Sequence, residues 1–172
     1  MNLAKRLNRL VVPGMFALYM LTLFRVILFK YGSIDIDFLW YRLQKNLEKP
    51  EYSMQRMQFG NFTPLKTISD TVLSPSSHEV INLVGNILAF MPYGIFLLLL
   101  FKSKPISLIG VFIQSLGMSL LLECLQVFFS IGNFDVDDLI LNTSGGLLGY
   151  CFFRLYSKYA GVKQLEGSRL KH

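Results

Sequence analysis

Four long apolar runs constrain this chain more than any other feature: Leu10–Phe29, Val80–Phe101, Ile106–Phe129 and Leu139–Tyr156. A helix crosses a bilayer core in roughly 20 residues at about 1.5 Å each, and every run is close to that length. Helices buried in a soluble bundle would keep a polar outer face, and Phe96–Phe101 has none. Charged residues make up only 16% of the chain and hydrophobic ones 52%, against about 25% charge in a soluble domain. The predicted fold is all-α: an integral membrane four-helix bundle with short amphipathic interfacial helices in the first outer loop, residues 31–79. One domain is expected over residues 1–160, with a polar, frayed cytoplasmic tail over 161–172.

Several classes drop out. Two cysteines make no disulfide framework, and neither sits at a metal-binding spacing from a histidine. The net charge of +6 would suggest nucleic acid in a soluble protein, but here the basic residues flank apolar runs. Membrane lipid is therefore the expected partner, and nucleic acid is not. The first run exceeds a signal-peptide core of roughly 7–15 residues and no A-x-A site follows, so it reads as a retained anchor. Lys5, Arg6, Arg9, Lys102, Lys104, Arg154, Lys158, Lys163, Arg169 and Lys171 would all lie on one side. The stretch Ser130–Asp138 has no basic residue and three aspartates. The positive-inside bias puts both termini in the cytoplasm of a multi-pass plasma-membrane protein.

Local signals refine the picture. Asp35 is positioned to cap a helix running to about Leu47, with Ile36, Leu39, Trp40, Leu43 and Leu47 on one face. That helix is expected to lie on the outer leaflet; the alternative is a short helix packed on the bundle. Pro50 ends it, an ordered turn over residues 59–66 follows, and a second short helix covers about Thr67–Leu73. Pro105 is placed to start the third long helix, and Asp137 or Asp138 to cap the fourth. The pairs Gly85 and Ala89, Ser115 and Ser119, and Gly145 and Gly149 mark close helix approaches.

Polar residues gather at one depth. Arg25, Asn86, Glu123 and Asn142 all fall about 6–9 Å below the outer end of their helices at helical rise. Asn82 shares a face with Asn86, Gln126 with Glu123, and Asp138 with Asn142. Arg25 and Glu123 are expected to pair, since an intramembrane charge costs about 2.5–3.5 kcal/mol. The cluster reads as a functional site, the alternative being an ion pair and interhelical hydrogen bonds that only hold the bundle. Asp135, Asp137, Asp138 and Glu123 could ligate a divalent cation, yet a solvated turn explains the string equally well, and neither a metal site nor a cofactor is assigned. His78, Cys124 and Cys151 read as inert.

The motif residues resemble the VanZ-like family of bacterial membrane proteins. The likeness runs through Asn61–Ile68, which includes Lys66, then Asn82–Gly94, Glu123–Gln126 and Asp135–Gly149. Where family members carry an aliphatic-Pro-Phe string, this chain has Thr63-Pro64-Leu65. The resemblance implies a four-helix membrane protein that lowers sensitivity to teicoplanin and related lipid-bearing glycopeptides. It brings Asn86, Glu123, Gln126, Asp135, Asp137, Asp138 and Asn142 in as motif positions. The implied partners are membrane lipid and a lipid-linked cell-wall precursor or lipoglycopeptide. The leading function is binding or shielding in an outward-facing polar pocket. The alternatives are an envelope enzyme, with Glu123 as base and Arg25 on a polyprenyl phosphate, and, last, a transporter.

Overall fold

The structure, a computed structural model, describes residues 3–29, 36–49, 51–101 and 106–169. Among them are seven helices and no strand, only an isolated bridge between Asn61 and Asp135. In chain order they are α1 (Leu3–Leu28), α2 (Ile36–Glu48), α3 (Glu51–Gln58), α4 (Lys66–Leu73), α5 (Ser77–Leu100), α6 (Leu108–Phe128) and α7 (Val136–Arg169). The all-α expectation holds. Three helices are long and apolar enough to cross a membrane: Leu10–Leu28 of α1, α5 and α6.

α7, expected as the fourth apolar helix, is more polar than these three because of where it packs. It makes its most extensive contacts with α5 and then with α6, while α1 lies against α5 and α6. Asn142, Thr143, Gly145, Gly146 and Gly149 of α7 are buried in those contacts. A Cβ on Gly145 would stand 2.3 Å from the Ile87 carbonyl oxygen, and one on Gly149 would stand 1.9 Å from that of Met91. Gly94 meets Gly146 in the same way, at 1.9 Å. Glycines thus let the α5 and α7 backbones touch. Ser115 and Ser119 are buried as expected. Gly85 is not part of this seam: it is exposed, with nothing within 4 Å of its would-be Cβ. The seam runs instead along Ile87, Met91 and Gly94.

Outward, Leu21, Ile81, Ile109 and Leu155 are about 70% exposed (70, 71, 71 and 69%), an apolar surface suited to hydrocarbon. Inward, Leu23, Ile27, Phe90, Tyr93, Leu97, Val111, Leu122 and Tyr150 form the core. The Tyr19 hydroxyl donates to the Ala89 carbonyl at 2.7 Å and the Tyr150 hydroxyl to that of Ile106 at 3.2 Å, so both phenols are satisfied.

Serines open two long helices. The Ser76 hydroxyl oxygen accepts from Glu79 N at 3.3 Å, and that of Ser107 accepts from Gly110 N at 3.1 Å. α6 therefore starts three residues beyond the proline expected to begin it; Pro105 and the basic loop around it lie outside the described residues, as do Asp35 and Pro50. α3 was not expected. Its signal is the Pro50-Glu51 pair, with the acid in the first turn of the helix. On α2, Asn46 is buried with Leu39 and Leu43 partly covered, while Trp40 and Leu47 are 60% and 68% exposed. At the other end, α7 continues to Arg169 through the tail expected to fray, whose Lys, Gln, Leu and Glu residues favour helix.

Candidate functional site

The site is built around Asp135, Asp137 and Asp138, whose roles divide differently from the sequence reading. α7 begins at Val136, so Asp135 is its cap: its Oδ1 accepts from Asp137 N at 2.9 Å. Neither Asp137 nor Asp138 caps this helix. The Asp137 carboxylate reaches across to α4, accepting from Leu65 N through Oδ1 and from Ile68 N at 3.1 Å through Oδ2. It acts as an N-cap supplied by a distant segment, and it is fully buried. Asp138 accepts from the Asn86 amide and so ties α7 to α5.

Asn61 locks the connection before α4 to the start of α7. Its backbone N–H donates to the Phe134 carbonyl at 2.7 Å, and its carbonyl accepts from Val136 N at 2.9 Å. Its side-chain amide donates to Asp135 Oδ1 at 2.9 Å and to Thr67 Oγ1 at 3.0 Å. The Thr67 hydroxyl in turn donates to Asp135 Oδ2 at 3.0 Å. Thr63 N donates to Asn61 Oδ1 at 3.1 Å, an Asx turn that aims the chain into Pro64. Leu65 then takes φ 66°, ψ 4°, a left-handed conformation that points its N–H at Asp137. Its side chain is 56% exposed. Position 65 takes part in the network through its backbone N–H.

Glu123 is buried, and its Oε2 accepts from Asp135 N at 3.0 Å, holding the head of α7 against α6. Gln126 donates to the Ile27 carbonyl at 2.9 Å, joining α6 to the end of α1. Asn142 lies deeper and donates to Ser119 Oγ at 2.9 Å. Its Oδ1, Ser115 Oγ and Thr143 Oγ1 are buried without a hydrogen-bond partner among the described residues. Lys66 is exposed at the start of α4.

The expected Arg25–Glu123 ion pair does not form: Arg25 is exposed and Glu123 is 1% exposed. Leu23 and Ile27 face the core, and a residue midway between them falls about 200° around the helix from each. Arg25 is near the C-terminus of α1, where its long stem can carry the charge toward an aqueous boundary and the helix dipole favours a cation.

Two clefts lie beside this network. One, of about 350 Å³, is mainly apolar and opens between α1 and α5 past Val26, Ile27, Ile81 and Gly85 to His78, Asn82 and Asn86. The other, of about 250 Å³, is polar and is bounded by Asn61, Asn82, Gln126, Asn133, Asp135 and Asp138. Asn82 borders both. Among the described residues no group of His, Cys, Asp and Glu is arranged to hold a metal ion. Asp135, Asp137 and Glu123 spend carboxylate oxygens on backbone N–H groups, which suits them to fixing the chain. Sequence reading marked Ser119 only as a packing position, and it missed the roles of the Thr67 hydroxyl, a group too common to stand out, and of the Leu65 N–H, which no side-chain pattern marks.

These features define a class: an α-helical protein with membrane-crossing helices and a polar knot of caps and amides at one end of them. Comparison with known proteins names it. The profile of the VanZ/LLP1 family matches residues 16–157, so the chain is a membrane protein of the VanZ/LLP1 family. Protein VanZ of Enterococcus faecium is 29% identical over 160 residues, covering 93% of this chain and 84% of that protein. No solved structure matches.

Proposed function

We propose that this chain works at the outer face of a bacterial plasma membrane, lowering sensitivity to lipid-bearing glycopeptides of the teicoplanin type. In this reading α1, α5, α6 and α7 all span the bilayer, both termini are cytoplasmic, and the Asp135 end faces out. The protein holds or shields a lipid-linked ligand there: a cell-wall precursor or the drug itself. One observation carries the proposal: an apolar groove between two membrane helices and a polar cleft share Asn82 in their walls. An amphiphile needs that sequence of surfaces, hydrocarbon side first and hydrogen-bonding groups after it. Membership of the VanZ/LLP1 family supports the resistance phenotype.

The test fills the groove without touching the knot. Gly85 lines the groove and has open space around it, so Gly85→Phe should fold normally and occupy the ligand's path. Teicoplanin sensitivity of an expressing host is compared with that to vancomycin, which lacks the lipid tail. A well-expressed Gly85→Phe protein that no longer shifts teicoplanin sensitivity supports the reading. Full activity of that variant defeats it, and equal wild-type shifts for both drugs would point to general envelope work.

A further inference from the structure

Beyond the polar knot, a third and larger cleft lies between α2, α3 and the turn after α6. It is about 530 Å³ and is lined by Arg42, Gln55, Arg56, Phe59, Ser130 and Asn133. Two guanidinium groups share it, and among the described residues neither pairs with a carboxylate. Arg56 donates to Asn133 Oδ1 at 3.2 Å. Arg42 lies with its Cζ 4.9 Å from the centroid of the Phe38 ring. Its Nε is buried and has no hydrogen-bond partner among the described residues. A guanidinium offers five donors in a fixed fork, and a buried donor left unmatched costs stability. Such a pair is held in readiness for an oxyanion.

The walls are specified by the fold. Ser130 takes φ 52° as it ends α6. Its hydroxyl donates to Asn46 Oδ1 at 3.2 Å and accepts from Asn46 Nδ2 at 3.1 Å. Asn46 Nδ2 also donates to the Phe128 carbonyl. These bonds clamp α2 to the end of α6, and so fix Arg42, one turn earlier on α2, over the cleft. The elements that carry the cleft, α2, α3 and the turn after α3, also expose Trp40, Tyr41, Met54, Met57 and Phe59, residue types suited to a membrane interface.

We propose that this cleft binds the phosphate of an anionic lipid headgroup, with Arg42 and Arg56 as its ligands. The neighbouring polar cleft cannot take that charge, because Asp135 and Asp138 border it. Phe59 and Asn133 border both clefts, so a phosphate seated on the arginines leaves the rest of a headgroup beside the polar knot. The proposal rests on the arginine cleft alone and needs neither the apolar groove nor the antibiotic reading.

Binding is read by isothermal titration calorimetry, which needs no reporter side chain in the cleft. Full-length protein in a neutral detergent is titrated with dihexanoyl phosphatidylglycerol and, separately, with inorganic pyrophosphate. Wild type should bind the lipid saturably, and Arg42→Gln with Arg56→Gln should weaken binding about tenfold or more per lost contact. The Arg42→Lys, Arg56→Lys pair keeps the charge and should retain part of the affinity, which separates loss of ligation from loss of folding. Displacement of the lipid by pyrophosphate would show that the phosphate is the recognised group. Binding of the lipid without displacement would show that phosphate and glycerol are read together; both results uphold the site. Equal affinity of wild type and the glutamine pair for the lipid would overturn it.

Discussion

Removing the Asp137 carboxylate should release α4 from the rest of the molecule. Its two oxygens accept from Leu65 N and Ile68 N, and the residue has 0% exposure. A hydrogen bond to a charged group contributes about 1.5–3 kcal/mol, so losing two in Asp137→Ala should cost about 3–6 kcal/mol locally. Leu65 would also lose the bond that offsets its left-handed backbone. Asp137→Asn keeps one acceptor but turns an NH2 toward a backbone donor, and should cost about half as much. α4 is a helix of 8 residues with its main contacts to α5 and α7, so the loss should appear as local opening rather than global unfolding. Hydrogen exchange by mass spectrometry in detergent reads this directly. Peptides covering residues 65–73 should exchange on the order of a hundredfold or more faster in Asp137→Ala, while those from α5 and α6 stay protected. Unchanged exchange at 65–73 would refute the capping role.

Further outcomes follow from other contacts. Gly149→Ala places a methyl 1.9 Å from the Met91 carbonyl oxygen and should cost about 1–3 kcal/mol in thermal unfolding. Gly85→Ala, with open space around it, should be neutral or stabilise by up to about 1 kcal/mol. Arg25→Gln should change the melting point little, because the residue is exposed and has no part in the knot. With Cys124 and Cys151 replaced by serine, a cysteine at Gly132 should react with an impermeant maleimide on intact cells and one at Ser103 should not. The reverse pattern would invert the proposed orientation.

The long helices were legible because a run of about 20 apolar residues has few other uses. The polar residues were legible as a set, because helical spacing put Asn86, Glu123 and Asp138 near one level, and the structure does bring them to one end of the helices. Their partners were not. Asp135, Asp137 and Asp138 are chemically alike, and which of them caps α7 depends on where the chain enters the helix. That entry is fixed by Asn61, 74 residues away. Arg25 was misassigned because depth was used without direction: a helix sets both, and Leu23 and Ile27 already claimed the inner face. α3 and the arginine cleft were illegible for a related reason. Arg42 and Arg56 lie 14 positions apart on separate short helices, and only the packing of α2 against Ser130 brings them together.

The division of labour among the aspartates changes how loss of function must be read. A connection such as residues 59–65 leaves backbone N–H groups that helices would satisfy within themselves, and near a bilayer each unsatisfied group is costly. Asp135, Asp137 and Glu123 answer that cost by accepting from Asp137 N, Leu65 N, Ile68 N and Asp135 N. Substituting any of them would disturb the polar cleft and the α4 cap together, so an inactive Asp137→Asn protein is expected whether or not the carboxylate meets a ligand. Residues with no share in the knot separate the two cases. Gly85 borders the apolar groove and touches nothing, and Arg42 borders the phosphate cleft with a donor to spare. A ligand-binding role stands or falls on those positions, and the acidic motif is better understood as the frame that holds the clefts open.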